Sequence, residues 1–316
     1  MKALITGVAG FIGSNIADRA LAQAWDVVGI DVMSDYYDVA QKRSNLVGAL
    51  SDDRFEFVEH DILTADLPKL LDGVSVVFHQ AGQPGVRSSW GTTFDEYVHQ
   101  NVLATQRLLE TARDFPLDRF VYASSSSVYG NAASYPSRES DLPNPQSPYG
   151  VTKLAAEHLC GVYGRNFGVP TTMLRYFTVY GPRQRPDMAT HRLIEASLNG
   201  EKFSLFGDGS KVRDFTFVSD VVQANFDAVN ISAPPGTVVN IAGGASATMA
   251  ELIELVGQAT QRQVLVDHHP DADGDVERTG GAIDRASELL SWSPSTSLAE
   301  GVQHQVAWHV GRRSGT

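Results

Sequence analysis

Apolar residues follow two rhythms along this chain. Short, nearly continuous apolar runs at 2–6, 27–30, 55–58, 74–78, 120–123 and 170–176 have the length and branched side chains of strands buried on both faces. Between them, apolar positions return every three or four residues, as at 14–23 and 94–113, which is the spacing of helices that cover a sheet. A further helix is signalled by Ser147 and Pro148, a capping residue followed by proline, and should run to Phe167. Strand and helix alternating over the first 176 positions predict a doubly wound parallel sheet.

From Phe177 the rhythm changes. Gly and Pro interrupt 176–188, a helix is expected at 193–198, strands at 203–207 and 212–215, and helices at 249–260 and 299–310. The run 237–241 is apolar enough to rejoin the first sheet, so the second lobe should be discontinuous. The expected α/β organisation is a Rossmann domain over 1–176, its sheet completed by about 214–245, and a smaller lobe from 177–213 plus 246–316. No internal repeat or low-complexity tract disturbs this division.

Composition narrows the class of protein. A chain of 316 residues with 42% hydrophobic and 20% charged residues can bury a sizeable core. It has no run of eighteen apolar residues, and no charged leader with an apolar core precedes the first strand; a cytoplasmic protein without a membrane partner is expected. The net charge of −12 disfavours nucleic acid as a partner. Even so, Arg183, Arg185, Arg192, Lys202, Lys211 and Arg213 gather within about thirty positions, as a nucleotide site or a solvated face would have them. Cys160 is the sole cysteine, so no intrachain disulfide forms, and packing is its expected role. The nine histidines are scattered and His268-His269 lacks carboxylates at zinc-ligand spacing, so no metal is expected.

Chemistry enters at the strand ends. Gly7, Gly10 and Gly13, with Phe11 and Ile12 between them, form a GxxGxxG turn between the first strand and its helix. Such glycines let a backbone approach a pyrophosphate at a helix N-terminus. Asp31 ends the second strand, where a carboxylate accepts from ribose hydroxyls and repels a 2′-phosphate, favouring NAD over NADP. Gln80-Ala81-Gly82 closes the fourth strand with small residues, leaving room for a cofactor across the sheet edge. Tyr149 and Lys153 stand four apart, on one face of the helix that begins at Pro148. A phenol beside an ammonium at the positive end of a helix ionises more easily, so Tyr149 is the expected acid/base and Lys153 its tuner.

The serine cluster Ser124–Ser127, the YxxxK pair and the glycine turn together resemble the short-chain dehydrogenases. They are closest to the extended branch of nucleotide-sugar epimerases and dehydratases. That resemblance implies Asp61 and Ile62 at the adenine, Asn101, Ser124 and Tyr176 near NAD, and Ser125 as a hydrogen-bond relay to Tyr149. It brings Arg87, in GQPGVRSS, towards the substrate. The RDF at Arg213 and the GDV containing Asp275 would flank a UDP diphosphate, with Phe206 near the uridine. A second arginine that related epimerases place just before the GD is here Ala272, leaving Arg278, Arg192 or Arg185 to take its part. The family commonly pairs as a homodimer through helices corresponding to 94–113 and 147–167.

The stretch YGPRQRPDMA at 180–189 resembles the UDP-glucuronate 4-epimerase branch, as does the segment at 35–43, to which spacing alone assigns no chemistry. Thr178 stands where glucose epimerases carry Asn; with Ser126 and Ser127 it offers hydroxyls for a uronate carboxylate, and Arg185 is a further partner. The implied reaction is reversible inversion at sugar C4 through a 4-keto intermediate. Decarboxylases and 4,6-dehydratases of the family place an acid where this chain has Ser127, which argues against both. UDP-glucose epimerisation, and a sensor that binds NAD without turnover, are the competing readings.

Overall fold

The computed structural model describes residues 1–132, 134–244, 246–270 and 276–314. At its centre lies a parallel sheet built from β1 (Lys2–Thr6), β2 (Asp26–Asp31), β3 (Phe55–Glu59), β4 (Val76–His79), β5 (Arg119–Ser125), β6 (Thr171–Tyr176) and a last strand, Thr237–Ile241. From one edge the order is Thr237–Ile241, β6, β5, β4, β1, β2, β3. The chain therefore winds outward from β1 in one direction, returns to β4, and winds outward in the other. A crevice opens at that reversal, beyond the carboxyl ends of β1 and β4.

Period-two alternation fills both faces. Ala3, Ile5, Phe78 and Val121 pack on one side, and Leu4, Ile30, Val77, Phe120 and Tyr122 on the other, all buried. The first helix, Phe11–Ala22, starts three residues before the apolar rhythm does, because the glycine turn contributes no period of its own. The long helix begins as its signals require: the Ser147 hydroxyl accepts from Gly150 N at 3.1 Å, Pro148 is the first residue, and Gly168 ends it with a left-handed backbone.

One expected helix is interrupted. The span read as continuous from 94 to 113 is an α-turn at Phe94–Tyr97, a π-helical turn at Val98–Leu103, and an α-helix at Ala104–Ala112. Beyond residue 177 the smaller lobe sets helices Ala189–Asn199, Met249–Thr260 and Leu298–Ser314 around short strand pairs. Strand Lys202–Phe206 pairs in parallel with Leu265–His269, a strand whose polar, half-exposed residues gave no apolar signal. Leu193, Phe203 and Leu252 belong to the same buried cluster as Ile5 and Phe78, so the lobe shares its core with one face of the sheet. Among the described residues no helix is long and apolar enough to cross a membrane.

Candidate active site

The crevice at the sheet's reversal is a cleft of about 480 Å³. Its floor is the glycine turn. Gly7 has a φ of +66°, and a Cβ there would come within 2.8 Å of the Ala81 backbone at the end of β4. A Cβ on Gly13 would strike the Gly7 carbonyl. Gly10, Phe11 and Ile12 complete this wall. Opposite, Asp31 is buried and its two oxygens accept from Ala9 N at 3.0 Å and Met33 N at 2.8 Å. Burial holds its carboxyl above the usual range, opposed chiefly by the Lys42 ammonium. Lys42 lines the same end of the cleft and donates to Ser34 Oγ at 3.0 Å. Asp61, Ile62, Gln80, Ala81, Gly82, Ser124 and Tyr176 line it too, as expected.

The cleft suits a dinucleotide. An open glycine floor, a carboxylate one strand away and small residues at the end of β4 match a pyrophosphate, a ribose and a flat ring in turn. Tyr37 also lines it, with a buried hydroxyl that has no hydrogen-bond partner among the described residues, as a wall built to meet a polar ligand would have.

Tyr149 and Lys153 reach the cleft from the long helix. Burial pushes the Tyr149 phenol up, while a hydrogen bond with Ser125 and the Arg185 guanidinium pull it down. The Lys153 Nζ lies 4.7 Å from the centre of the Tyr122 ring. Helical spacing put Tyr149 and Lys153 on one face, and both line the cleft, with the lysine Nζ against the Tyr122 ring and the Arg185 guanidinium also bearing on the phenol. Arg185 itself is oriented by two bonds of 3.0 Å to Asp187.

A second, smaller cavity of about 170 Å³ adjoins the start of the long helix. Ser126, Ser127, Thr178 and Arg213 line it, with Ser147 and Gln146 at the helix cap and Thr279 beyond. Chain segments far apart in sequence thus present five small hydroxyl residues and one guanidinium to a single space.

The model of the NAD dependent epimerase/dehydratase family matches residues 3–242. The chain belongs to this family. Among its relatives is the uncharacterized UDP-glucose epimerase YtcB of Bacillus subtilis, 43% identical over 309 residues and aligned over 98% of both chains. A solved UDP-glucuronic acid 4-epimerase from Bacillus cereus, in complex with UDP-glucuronic acid and NAD, is 42% identical with a TM-score of 0.95. The match covers 99% of this chain and 100% of that one. MoeE5, solved with UDP-glucose and NAD, is 38% identical with a TM-score of 0.90 and full coverage of both chains. NAD dependence is thereby a property of the family, and the cleft fits that cofactor.

Other candidate residues fall differently on this epimerase-family frame. Asn101, expected near the cofactor, is not among the residues lining the cleft but adjoins Gly82, which is: its side chain accepts from Gln83 N at 2.7 Å and donates to Thr152 Oγ1 at 3.0 Å. It is a brace between the loop after β4 and the long helix. Arg87 packs over the Phe206 ring at 4.5 Å, a pairing of two expected substrate residues at the edge of the smaller lobe. Arg192 lies over Phe203, and Arg278 over Tyr135 at 5.3 Å; neither is among the described residues lining the two cavities. Asp275 lies outside the described residues. Burial pushes the Cys160 thiol up, in keeping with a packing role.

Two sets of residues escaped sequence reasoning. Tyr36, Tyr37 and Lys42 line the cleft from the 35–43 segment, to which resemblance pointed but spacing assigned no chemistry. Asn225 donates to the Tyr176 hydroxyl at 2.8 Å and accepts from Gln80 Nε2 at 3.1 Å, fixing two cleft residues from a helix far along the chain. Away from the cleft, His191, Glu195 and His309 bring possible ligand atoms within 4.8 Å of one another. Both Glu195 oxygens are already engaged, one by His309 and one by Arg313, each at 2.5 Å. With that guanidinium beside it the cluster reads as a clasp for the C-terminal helix.

Proposed function

We propose that this chain is a cytoplasmic enzyme that interconverts UDP-glucuronate and UDP-galacturonate by inverting sugar C4 through a 4-keto intermediate. The observation that carries this reading is the grouping of Ser126, Ser127 and Thr178 in one small cavity beside the helix that bears Tyr149. Short hydroxyls suit a carboxylate, which accepts from several donors at once. Likeness to the Bacillus cereus enzyme supports the same sugar. In this reading 1–176 with the strand Thr237–Ile241 carry NAD, and 177–213 with 246–316 carry the nucleotide sugar.

NAD, when bound, supplies a reversible hydride acceptor and a positively charged ring. Tyr149 takes the C4 hydroxyl proton and returns it after the sugar has turned, while Ser125 relays it and Arg185 and Lys153 offset the phenolate charge. Arg213 holds the diphosphate. The 4-keto uronate is a β-keto acid, which loses carbon dioxide when its carboxylate bond aligns with the carbonyl π system. Ser126, Ser127 and Thr178 hold the carboxylate out of that alignment.

The chain acts as a homodimer. Leu103 on one helix and Val151, Val162 and Phe167 on the other are exposed apolar residues on the two helices through which the family pairs. Sedimentation should give twice the chain mass, and Val151→Lys should give monomer; a monomeric parent would remove the dimer.

UDP-glucose as substrate is the second reading, favoured by YtcB and by MoeE5 in its complex with UDP-glucose. One experiment separates the two: incubate the purified protein with either UDP-sugar, without added cofactor, and follow the sugar by NMR. An axial C4 hydroxyl from UDP-glucuronate is expected. A pentose would make the chain a decarboxylase, turnover of UDP-glucose alone would move the assignment to the neutral sugar, and no hydride exchange at all would leave a sensor.

A further inference from the structure

Beneath the cleft lies a buried polar cluster that the mechanism above does not use. Glu157 sits on the long helix one turn beyond Lys153 and is 4% exposed. Arg175 of β6, equally buried, grips it through Nε to Oε1 at 2.9 Å and Nη2 to Oε2 at 2.8 Å. The Ser124 hydroxyl donates to Oε1 from β5. Arg175 Nη1 donates to the Tyr129 hydroxyl at 2.8 Å, and that hydroxyl donates to Asn240 Oδ1 at 2.7 Å. One carboxylate therefore ties together the helix that bears Tyr149 and Lys153, the strand that ends in Ser125, and β6.

Stability alone gives a poor account of this arrangement. Desolvating an ion pair costs about as much as its attraction returns, and a well-packed apolar replacement is often no less stable. Its place in the fold offers a better account. Lys153 is enclosed by His79 of β4, Tyr122 of β5, and Tyr149, Glu157 and Cys160 of its own helix. Burial keeps His79, Tyr122 and Cys160 neutral at pH 7, and Tyr149 is a phenol at rest. Among these neighbours Glu157 alone is negative. Burial lowers Lys153 to about 8, against the opposing pull of the Glu157 carboxylate. Its proton is thus kept at neutral pH by a narrow margin and lost as pH rises beyond that value.

We propose that Glu157 is a positioning residue for the reacting centre: clamped by Arg175, its carboxylate is the counter-charge that keeps the Lys153 ammonium charged and in place, and through Ser124 it fixes the strand end carrying Ser125. The proposal rests on the reading that Tyr149 and Lys153 serve a reaction at the sugar.

The test follows Lys153 Nζ by ε-¹⁵N lysine NMR in the purified protein, alongside the pH dependence of kcat and KM with whichever UDP-sugar the parent turns over. In Glu157→Gln the Lys153 midpoint and the alkaline limb of kcat should both move to lower pH by about one unit. At pH 7.5 kcat should fall about three-fold, and about ten-fold well above both midpoints, with KM little changed. Glu157→Asp, which keeps the charge, should bring the limb most of the way back. The paired replacement Glu157→Met with Arg175→Met preserves packing and removes both charges, and should show a smaller acid shift than Glu157→Gln, which leaves the Arg175 cation unpaired. Resonance and limb standing at the parent's positions, in Glu157→Gln or, should that variant not fold, in the Met pair, would overturn the proposal and leave a fold brace. The NMR readout needs no substrate, so a parent that prefers UDP-glucose would refute the uronate assignment and leave this comparison intact.

Discussion

The two cavities are built on opposite plans. The larger is walled by the ends of neighbouring parallel strands and the turns that leave them, so nearly every contact comes from a residue within a short motif. The smaller takes Val86 from a loop, Ser126 and Ser127 from a strand end, Thr178 from the start of the second lobe, and Arg213 and Thr279 from still farther on. Cofactor recognition is thus a property of backbone geometry, set by glycines and strand ends. On the function proposed above, sugar recognition is a property of assembly, set by side chains that meet only in the folded chain. If that contrast holds, damage to the first should be general to any substrate, and damage to the second should change what is made.

Tyr149 stands where the two plans meet, and its loss should have the largest effect. Tyr149→Phe keeps the ring that lies edge-on to Tyr97 at 6.2 Å and removes the hydroxyl that meets Ser125. Turnover should fall about 10²- to 10⁴-fold for every UDP-sugar the parent accepts, with the protein still folded and binding NAD. Undiminished epimerisation by NMR would break the proposed chemistry at its root.

Asp31 tests the cofactor plan alone. Replacing it with Asn keeps the bulk but leaves one carbonyl oxygen where two carboxylate oxygens receive Ala9 N and Met33 N. Loss of the charge-assisted bond expected from the ribose hydroxyls, worth about 1.5–3 kcal/mol, should weaken NAD binding roughly 10- to 100-fold. It should also narrow the preference for NAD over NADP, as read by calorimetry of the two dinucleotides. An unchanged NAD affinity would mean that the ribose is held elsewhere, with Lys42 the nearest alternative.

The same contrast decides what could be read from the sequence. Glycines at 7, 10 and 13, Asp31 and the 80–82 turn are legible because their function depends on local backbone, and the structure sets them around one cleft. The π-helical turn at Val98–Leu103 was invisible, since its residues keep an ordinary helical pattern while the backbone carries one residue more per turn. Lys153 was placed on the right face, but its direction under Tyr122 depends on a ring brought from another strand. Arg185 was legible as a cation near the substrate, not as the charge that bears on Tyr149; that required folding residue 185 against residue 149. Glu157 carried one readable signal, a carboxylate one turn past Lys153, which only its burial turns into an argument.

The smaller cavity yields the finest test, because it predicts a change in product with little change in rate. Ser126→Ala, Ser127→Ala and Thr178→Val each remove one donor from the space assigned to the uronate carboxylate. A single hydrogen bond of this kind is worth roughly 1 kcal/mol, so each variant should raise the pentose fraction by about five-fold. Consumption of UDP-glucuronate should stay within a few-fold of the parent, since neither Tyr149 nor the NAD cleft is touched. Combining two of them should raise the pentose further, and less than multiplicatively if both hydroxyls bind the same carboxylate oxygen. Should the product ratio stay fixed in all three while KM rises, the hydroxyls would hold the sugar without steering it. Restraint of the 4-keto intermediate would then fall to Arg185, whose two bonds to Asp187 already fix its guanidinium beside Tyr149.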